Sequence, residues 1–282
     1  MNYRHIYHAG NFADVVKHAV LLTLLAHLRR KPQPFCYLDT HAGIGRYPLA
    51  SGEARKTLEY RGGIGRLYGA SGLPPLLADY VARVGACDPA NRGDALAVYP
   101  GSPLLAHGAL RAQDRAVLME LHPQDAGTLK ALFHGDRQVA VHAIDGYQGL
   151  KAFLPPKERR GLVLIDPPFE VADEFDRLLA GLQTAYRRWP TGIYALWYPV
   201  KDRRDVRRFQ ERLVKTGIAK LLLAELCLYP DDRPDRFNGC GMVIVNPPWQ
   251  HDEQLRSLLP QLAARLAEPG NARTRVEWLT PA

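Results

Sequence analysis

The residues Asp166-Pro167-Pro168-Phe169 follow the apolar run Leu162-Val163-Leu164-Ile165, which reads as a buried strand bounded by turn signals. An acid, two prolines and an aromatic at such a strand end form a small rigid device. The prolines fix the backbone and withhold donors, so their carbonyls can face a ligand. The carboxylate accepts a hydrogen bond from an amine. The ring offers a flat face for a base to stack on. Together they are suited to holding an exocyclic amino group of a nucleobase in front of an electrophile.

The tetrapeptide resembles the (Asp/Asn/Ser)-Pro-Pro-(Tyr/Phe/Trp) motif of S-adenosylmethionine-dependent amino-methyltransferases. A strand ending in Asp-Pro-Pro is also an ordinary way to stop and turn, and short motifs arise by chance. A second copy, Asn246-Pro247-Pro248-Trp249, follows Met242-Val243-Ile244-Val245. Chain order separates the two. In the amino-methyltransferase class that places its cofactor loop first, the motif ends the fourth strand, as Asp166 does here. Asn246 comes later, toward the sheet edge, and reads as a strand terminator.

Open α/β sheets bind ligands beyond the C-terminal ends of their strands. Residues 35–39 read as a first strand, ending in Asp39 and the loop Thr40-His41-Ala42-Gly43-Ile44-Gly45. A second, 116–120, ends in Glu120. A third, 138–144, ends in Asp145-Gly146, and the fourth ends in Asp166. Four successive strands thus place an acid at one edge. The loop has Gly-x-Gly without the third glycine of the dinucleotide fingerprint, and Gly63-Ile64-Gly65 matches equally well as a plain turn. A glycine after a strand lets backbone approach a ligand closely. Glu120 is suited to bond both hydroxyls of a ribose. In nicotinamide enzymes that acid lies about twenty residues on; here it is much farther, which weakens that reading. Asp145-Gly146 is placed near a cofactor adenine, the alternative being a type I′ turn.

The elements that position these residues alternate. Asn11 reads as the cap of a broadly apolar helix that ends in Arg29-Arg30-Lys31. The interval before residue 116 is too long for a simple connection. Residues 53–94 within it read as an inserted helical subdomain, broken by Gly62-Gly63, Pro74-Pro75 and Asp88-Pro89. Helices are expected over 173–189 and 202–216, and strands over 193–198, 221–228 and 241–245. The last two strands have no clear helix between them and are expected to close the sheet as an antiparallel edge. This rhythm implies one α/β domain over 1–282, with a mainly parallel sheet covered on both faces.

The chain has 282 residues, of which 46% are hydrophobic, enough for a full core without metals or disulfides. Cys36, Cys87, Cys227 and Cys240 are far apart and form no Cys-x-x-Cys pair, so no metal site is expected. Reduced core cysteines point to a cytoplasmic setting. Met1-Asn2-Tyr3-Arg4-His5 lacks a signal-peptide layout. The most apolar stretch, 15–28, is interrupted by Lys17, His18 and His27, so no membrane span is expected. The formal charge of +8 favours a polyanionic partner, and nucleic acid is the commonest. Lys157, Arg159, Arg160, Arg187, Arg188, Lys201, Arg203, Arg204, Arg207 and Arg208 flank strand ends or adjacent helices and form a candidate phosphate surface. Against this, Asp202 and Asp205 can simply pair with helix neighbours.

Longer segments carry a closer resemblance. Tyr3-Arg4-His5, His8-Ala9-Gly10-Asn11, Ala13-Asp14-Val15, Lys17-His18, residues 37–43, Tyr99-Pro100-Gly101-Ser102-Pro103, Glu120-Leu121-His122-Pro123, Asp145-Gly146 and residues 194–199 resemble the RlmJ family of 23S ribosomal RNA adenine-N6 methyltransferases. The likeness covers nearly the whole chain and is least in the insert. It implies a Rossmann-like class I methyltransferase fold, with a mainly parallel seven-stranded sheet and an inserted helical subdomain. It places residues 1–11 near substrate and cofactor; a monomer is expected. It implies S-adenosylmethionine contacts at His18, His41, Ser102, Glu120, Asp145, Gly146 and Asp166, and catalysis at Asp166. Substrate contacts fall at Tyr3, Pro167 and Phe169, with 23S rRNA as partner. The family motif commonly ends in Tyr; Phe169 keeps the stacking and loses any phenolic hydrogen bond. From the residues alone, His5, His8 and His18 could suggest a metal site, but ordinary surface or capping histidines are the stronger reading, and neither His18 nor His41 would be chosen as a cofactor contact. Other readings are DNA adenine-N6 or protein glutamine-N5 methylation by the same motif, an idle RNA-binding module, and, more distantly, a dehydrogenase.

Overall fold

A computed structural model describes residues 4–230, 237–268 and 270–281. Tyr3 lies outside the described residues. The Asn11 side chain accepts from Asp14 N at 2.9 Å and so starts α1 (Phe12–Arg29). Most of α1 is buried, including Lys17 and His18. A helix this apolar needs cover on every side. The sheet covers one side and neighbouring helices the others.

β1 (Cys36–Asp39) follows, and the chain then leaves the main sheet. It forms β2 (Arg46–Pro48), α2 (Gly52–Thr57), short 3₁₀ turns at Glu59–Gly62 and Ile64–Arg66, α3 (Pro75–Ala86), β3 (Val98–Pro100) and α4 (Ser102–His107). β2 and β3 pair as an antiparallel ribbon. The regular alternation resumes with β4 (Arg115–Met119), α5 (Pro123–Leu132), β5 (Val139–His142), α6 (Gly146–Phe153), β6 (Gly161–Ile165) and α7 (Glu174–Arg188). β7 (Ile193–Val200), α8 (Arg203–Lys215), β8 (Leu221–Cys227), β9 (Gly239–Val245), α9 (His251–Leu266) and β10 (Arg273–Trp278) complete it.

The main sheet runs β10-β8-β9-β7-β6-β1-β4-β5. Neighbours from β5 to β7 are parallel. β9 runs antiparallel between β7 and β8, and β10 runs antiparallel beside β8. The sheet therefore has eight strands, one more than the expected seven. The extra one, β10, alternates Arg273, Arg275 and Glu277 with Thr274, Val276 and Trp278, so it lacks an apolar run. Such polar patterning suits an exposed edge. β9, expected at the edge, lies instead in the interior, with every residue buried.

From β1 the chain steps outward through β4 to β5, then returns to β6 on the other side and continues to β7. The order reverses between β1 and β6, and ligands of such sheets bind in the crevice beyond that point. Side chains alternate between two cores. Tyr37 and Leu118 pack with Leu24, Leu77, Leu105 and Leu258, from α1, α3, α4 and α9. Leu38 and Val163 pack with Leu150, Leu178 and Phe209, from α6, α7 and α8. Among the described residues no helix is long and apolar enough to cross a membrane.

The ten basic side chains read as one surface divide between opposite sheet edges. Lys157, Arg159 and Arg160 precede β6, and Arg187 and Arg188 end α7 before β7, all at the N-terminal edge. Arg160 there donates to the carbonyls of Leu28 and Gln33 and closes the end of α1. Lys201, Arg203, Arg204, Arg207 and Arg208 follow β7 at the C-terminal edge. Only this second group shares an edge with Asp166.

Candidate active site

A cavity of about 570 Å³ opens at the crevice between β1 and β6. Its lining brings together His18, His41, Ser102, Glu120, Asp145, Gly146, Asp166, Pro167 and Phe169. The duplicate tetrapeptide is far from it. Because β9 is antiparallel, Val245 lies opposite Tyr194 near the start of β7. Asn246 thus emerges at the N-terminal edge, where its side-chain amide donates to the carbonyls of Pro190 and Gly192, each at 2.8 Å. Direction of the strand, more than its position in the sheet, separates the copies.

Asp166 follows β6 directly and meets a partner that sequence reasoning missed. Lys17 Nζ lies 2.6 Å from Asp166 Oδ2 and 2.8 Å from Asp14 Oδ1. Burial opposes a charge on Lys17, but the two carboxylates outweigh it and hold its pKa well above the usual lysine value. Asp14 Oδ2 also takes His5 Nε2 at 2.8 Å and Gly10 N at 2.9 Å. Against desolvation, His5 and Lys17 hold the Asp14 pKa well below the ordinary range. The signal available was a lysine inside an apolar helix, since a buried charge demands a counter-charge.

Phe169 adopts φ 50°, in the left-handed region, at a cost of about 1 kcal/mol or more for a residue with a side chain. Its ring meets Phe175 edge-on at 4.9 Å and Trp197 at 5.9 Å between centroids. These contacts hold the strained position and build an aromatic wall beside Asp166.

The other acids differ in role. Asp39 does not line the cavity; it is fully buried and accepts from Tyr37 Oη at 2.6 Å and Ser102 Oγ at 2.7 Å. Burial raises its pKa to about 6, against the pull of those two donors. Glu120 accepts from Gly43 N through Oε2 and from His122 N through Oε1, both at 2.8 Å. Each oxygen keeps a lone pair for a further donor. Burial raises the Glu120 pKa despite these bonds. Asp145-Gly146 is the start of α6 and not a hairpin turn: Asp145 Oδ1 accepts from Gln148 N at 3.0 Å. A Cβ on Gly146 would stand 2.2 Å from the Thr40 carbonyl oxygen, so only glycine lets α6 abut the loop after β1.

His18 is held from outside the main sheet. Tyr80 on α3 lies 3.0 Å from Tyr99 Oη, which lies 2.7 Å from His18 Nδ1. Burial pushes the His18 pKa well below the ordinary value, so the ring is neutral. Either direction of donation meets both contacts; in one of them Tyr80 donates to Tyr99, and Tyr99 donates to Nδ1. The His18 proton then sits on Nε2, which is buried, lacks a partner among the described residues and belongs to a residue of the cavity wall. Burial also lowers the His41 pKa, to about 4, leaving a second neutral imidazole in the wall.

The lining carries eight Asp or Glu side chains against three of Lys or Arg. A basic protein has an acidic cavity. Such a wall attracts a cation and repels a pyrophosphate.

Residues 32–280 match the family described as ribosomal RNA large subunit methyltransferase D, RlmJ. The chain belongs to this family. It is 46% identical over 281 residues to ribosomal RNA large subunit methyltransferase J of Haemophilus influenzae, spanning 100% of this chain and 99% of that one. Identity to the Escherichia coli protein of the same name is 44%, with the same coverage. A crystal structure of a Legionella pneumophila protein, 36% identical, superposes with a TM-score of 0.88 over 96% of this chain and 98% of that chain. The match to the RlmJ family begins within the turn after α1, so Lys17 and His18 precede the matched segment, while the match to the Haemophilus influenzae protein spans 100% of this chain.

Proposed function

We propose that this protein transfers a methyl group from S-adenosylmethionine to the N6 amine of an adenine in 23S ribosomal RNA. The observation that carries the reading is Asp166-Pro167-Pro168-Phe169 at the crevice of a reversing sheet, above an acid-lined cavity. Membership of a family named for methylation of large-subunit rRNA supports the substrate.

S-adenosylmethionine supplies, when bound, a methyl group on a positively charged sulfonium. The acidic lining fits that cation and disfavours a nicotinamide dinucleotide. Glu120 would hold the ribose hydroxyls with its remaining lone pairs. His18 Nε2–H would meet an acceptor on the cofactor, with Ser102, His41, Asp145 and Gly146 completing the wall.

Lys17 occupies Oδ2 of Asp166, so Oδ1 is the oxygen that accepts from the adenine amine. The Pro167 carbonyl accepts its second N–H. An adenine amine is a poor nucleophile because its lone pair is delocalised into the ring; two such bonds favour a pyramidal nitrogen and localise that pair. Asp166 stabilises the positive charge that develops on nitrogen and takes its proton at Oδ1. Lys17 is not that base, since its ammonium stays protonated. Phe169 stacks on the base, and Tyr3 matches a family tyrosine beside the substrate. A paired adenine cannot reach this pocket, so the base enters flipped or already unpaired.

The test is modification mapping of rRNA in cells carrying wild-type or Asp166→Ala protein, with methyl transfer from labelled cofactor to rRNA, DNA and protein in vitro. The expected loss on Asp166→Asn is about 10²–10⁴-fold in rate, with thermal denaturation showing a folded variant. Wild-type rates in Asp166→Asn, or transfer to DNA or protein in preference to rRNA, would overturn the proposal.

A further inference from the structure

An acid-lined cavity admits a neutral base but not the phosphates attached to it, so the flanking RNA strand must run outside. Glu59, Asp125 and Glu170 belong to the cavity lining, and so does Lys201, which follows β7 just before α8 begins. A second depression, about 660 Å³, starts there: Lys201 lines the cavity, and Arg203, two residues on, lines this groove between α8, β8 and β10.

One end of the groove lies at the same sheet edge as Asp166. Arg273, the first residue of β10, pairs with Cys227, the last of β8. Arg207 stands one turn into α8. The floor is a closed polar network. Glu225, 2% exposed, accepts from Tyr198 Oη at 2.7 Å, Arg203 Nη1 at 2.8 Å and Gln210 Nε2 at 3.0 Å. Arg275 reaches Gln210 Oε1 at 3.3 Å and also pairs with Glu277. The buried acid is thereby matched by fixed guanidinium groups. Arg207 and Arg273 on the walls are exposed and make no ion pair among the described residues. α8 carries six Lys or Arg against two acids, which supplies half the formal charge of the chain.

We propose that the RNA strand flanking the target adenine leaves the cavity across Lys201 and lays its phosphates in the groove between α8 and β10, gripped by Arg207 and Arg273. This rests on the reading that RNA is the substrate. It assigns the polyanion to a side and drops Lys157, Arg159, Arg160, Arg187 and Arg188 from the contact surface. Guanidinium groups held on rigid elements suit phosphate oxygens, which they meet bidentately.

The test compares Arg207→Glu/Arg273→Glu with Arg187→Glu/Arg188→Glu in the full chain, titrated with transcribed 23S rRNA over a range of salt. The groove variant is expected to bind at least tenfold more weakly at moderate salt. Its log K against log salt slope is expected to be shallower by about 1.4–1.8, two phosphate contacts having been removed. The variant at the opposite edge is expected to match wild type, and cofactor affinity is expected to be the same in all three. Wild-type RNA affinity and slope in the groove variant would sink the proposal and leave the groove to an acidic protein partner or to none. Equal losses in both variants would sink it too, by showing an effect of overall charge alone. These outcomes are read on RNA binding. Failure of the methylation reading is seen separately, as absence of methyl transfer to rRNA by wild-type protein.

Discussion

Tyr80 belongs to α3, outside the main sheet, yet its hydroxyl is joined through Tyr99 to a cavity histidine and bears on where that ring holds its proton. Removing that hydroxyl frees Tyr99 to accept from Nδ1–H instead of donating to it. Tyr80→Phe is expected to show a mixture of His18 tautomers by ¹⁵N NMR. Cofactor affinity is expected to weaken about 3- to 10-fold, one neutral hydrogen bond being worth about 0.5–1.5 kcal/mol, with little change in the rate at saturating cofactor. A single Nε2–H tautomer in the variant would show that the tyrosine chain does not set it. Among single residues, Asp166 is the easiest to find from sequence, because its chemistry and its place after an apolar strand coincide. Lys17 is much harder. It shows in the sequence as an interruption of an apolar helix, and its partner stands 149 residues away. Local patterning announces that a buried charge needs a counter-charge but does not say which. The relay to His18 is harder still, since it joins three segments through hydroxyls that look like core aromatics.

At the scale of elements, the crevice depends on how closely α6 can stand against the loop after β1. Gly146 sets that distance, because a methyl group there would meet backbone, which cannot swing aside as a side chain could. Gly146→Ala is expected to cost about 1–3 kcal/mol of stability, read from the urea midpoint, and to weaken cofactor binding at least tenfold. Unchanged binding would show that α6 can shift without disturbing the wall. The parallel strands are legible in the chain because each is a short apolar run ended by an acid or a turn. β10 is not, since alternating charges give it no apolar run, and α9 is obscured by Pro260 within it. The interior place of β9 is equally hidden. Two adjacent apolar strands without a helix between them indicate antiparallel pairing, but not that one will slip between its predecessor and β7.

Across the whole molecule, charge is sorted: acids gather in the cavity, and cations gather on α8 and at the far edge. Net charge alone, readable at once from composition, shows neither. The sorting gives cofactor binding a pH dependence with a definite sign. Burial raises the pKa of Glu120 in the empty protein, so the carboxyl begins to protonate above the ordinary glutamate range. In that window the folded chain binds more protons than the unfolded one, and this group makes stability fall as pH rises. A ligand that donates hydroxyls to the carboxylate favours its ionised form and reverses the preference. Cofactor affinity is therefore expected to rise with pH above the ordinary glutamate range and then level off, with proton release measurable by calorimetry in buffers of different ionisation heat. Glu120→Gln is expected to bind more weakly with that dependence abolished; a profile that kept its shape in the variant would assign it to another acid.

β9 runs against its neighbours, and this has a consequence for how the family's chemistry can be inherited. An Asn246→Asp change would give both copies of the motif an acid and still build one reaction centre. The new acid would sit among the carbonyls of Pro190 and Gly192, on the far side of the molecule from any sulfonium.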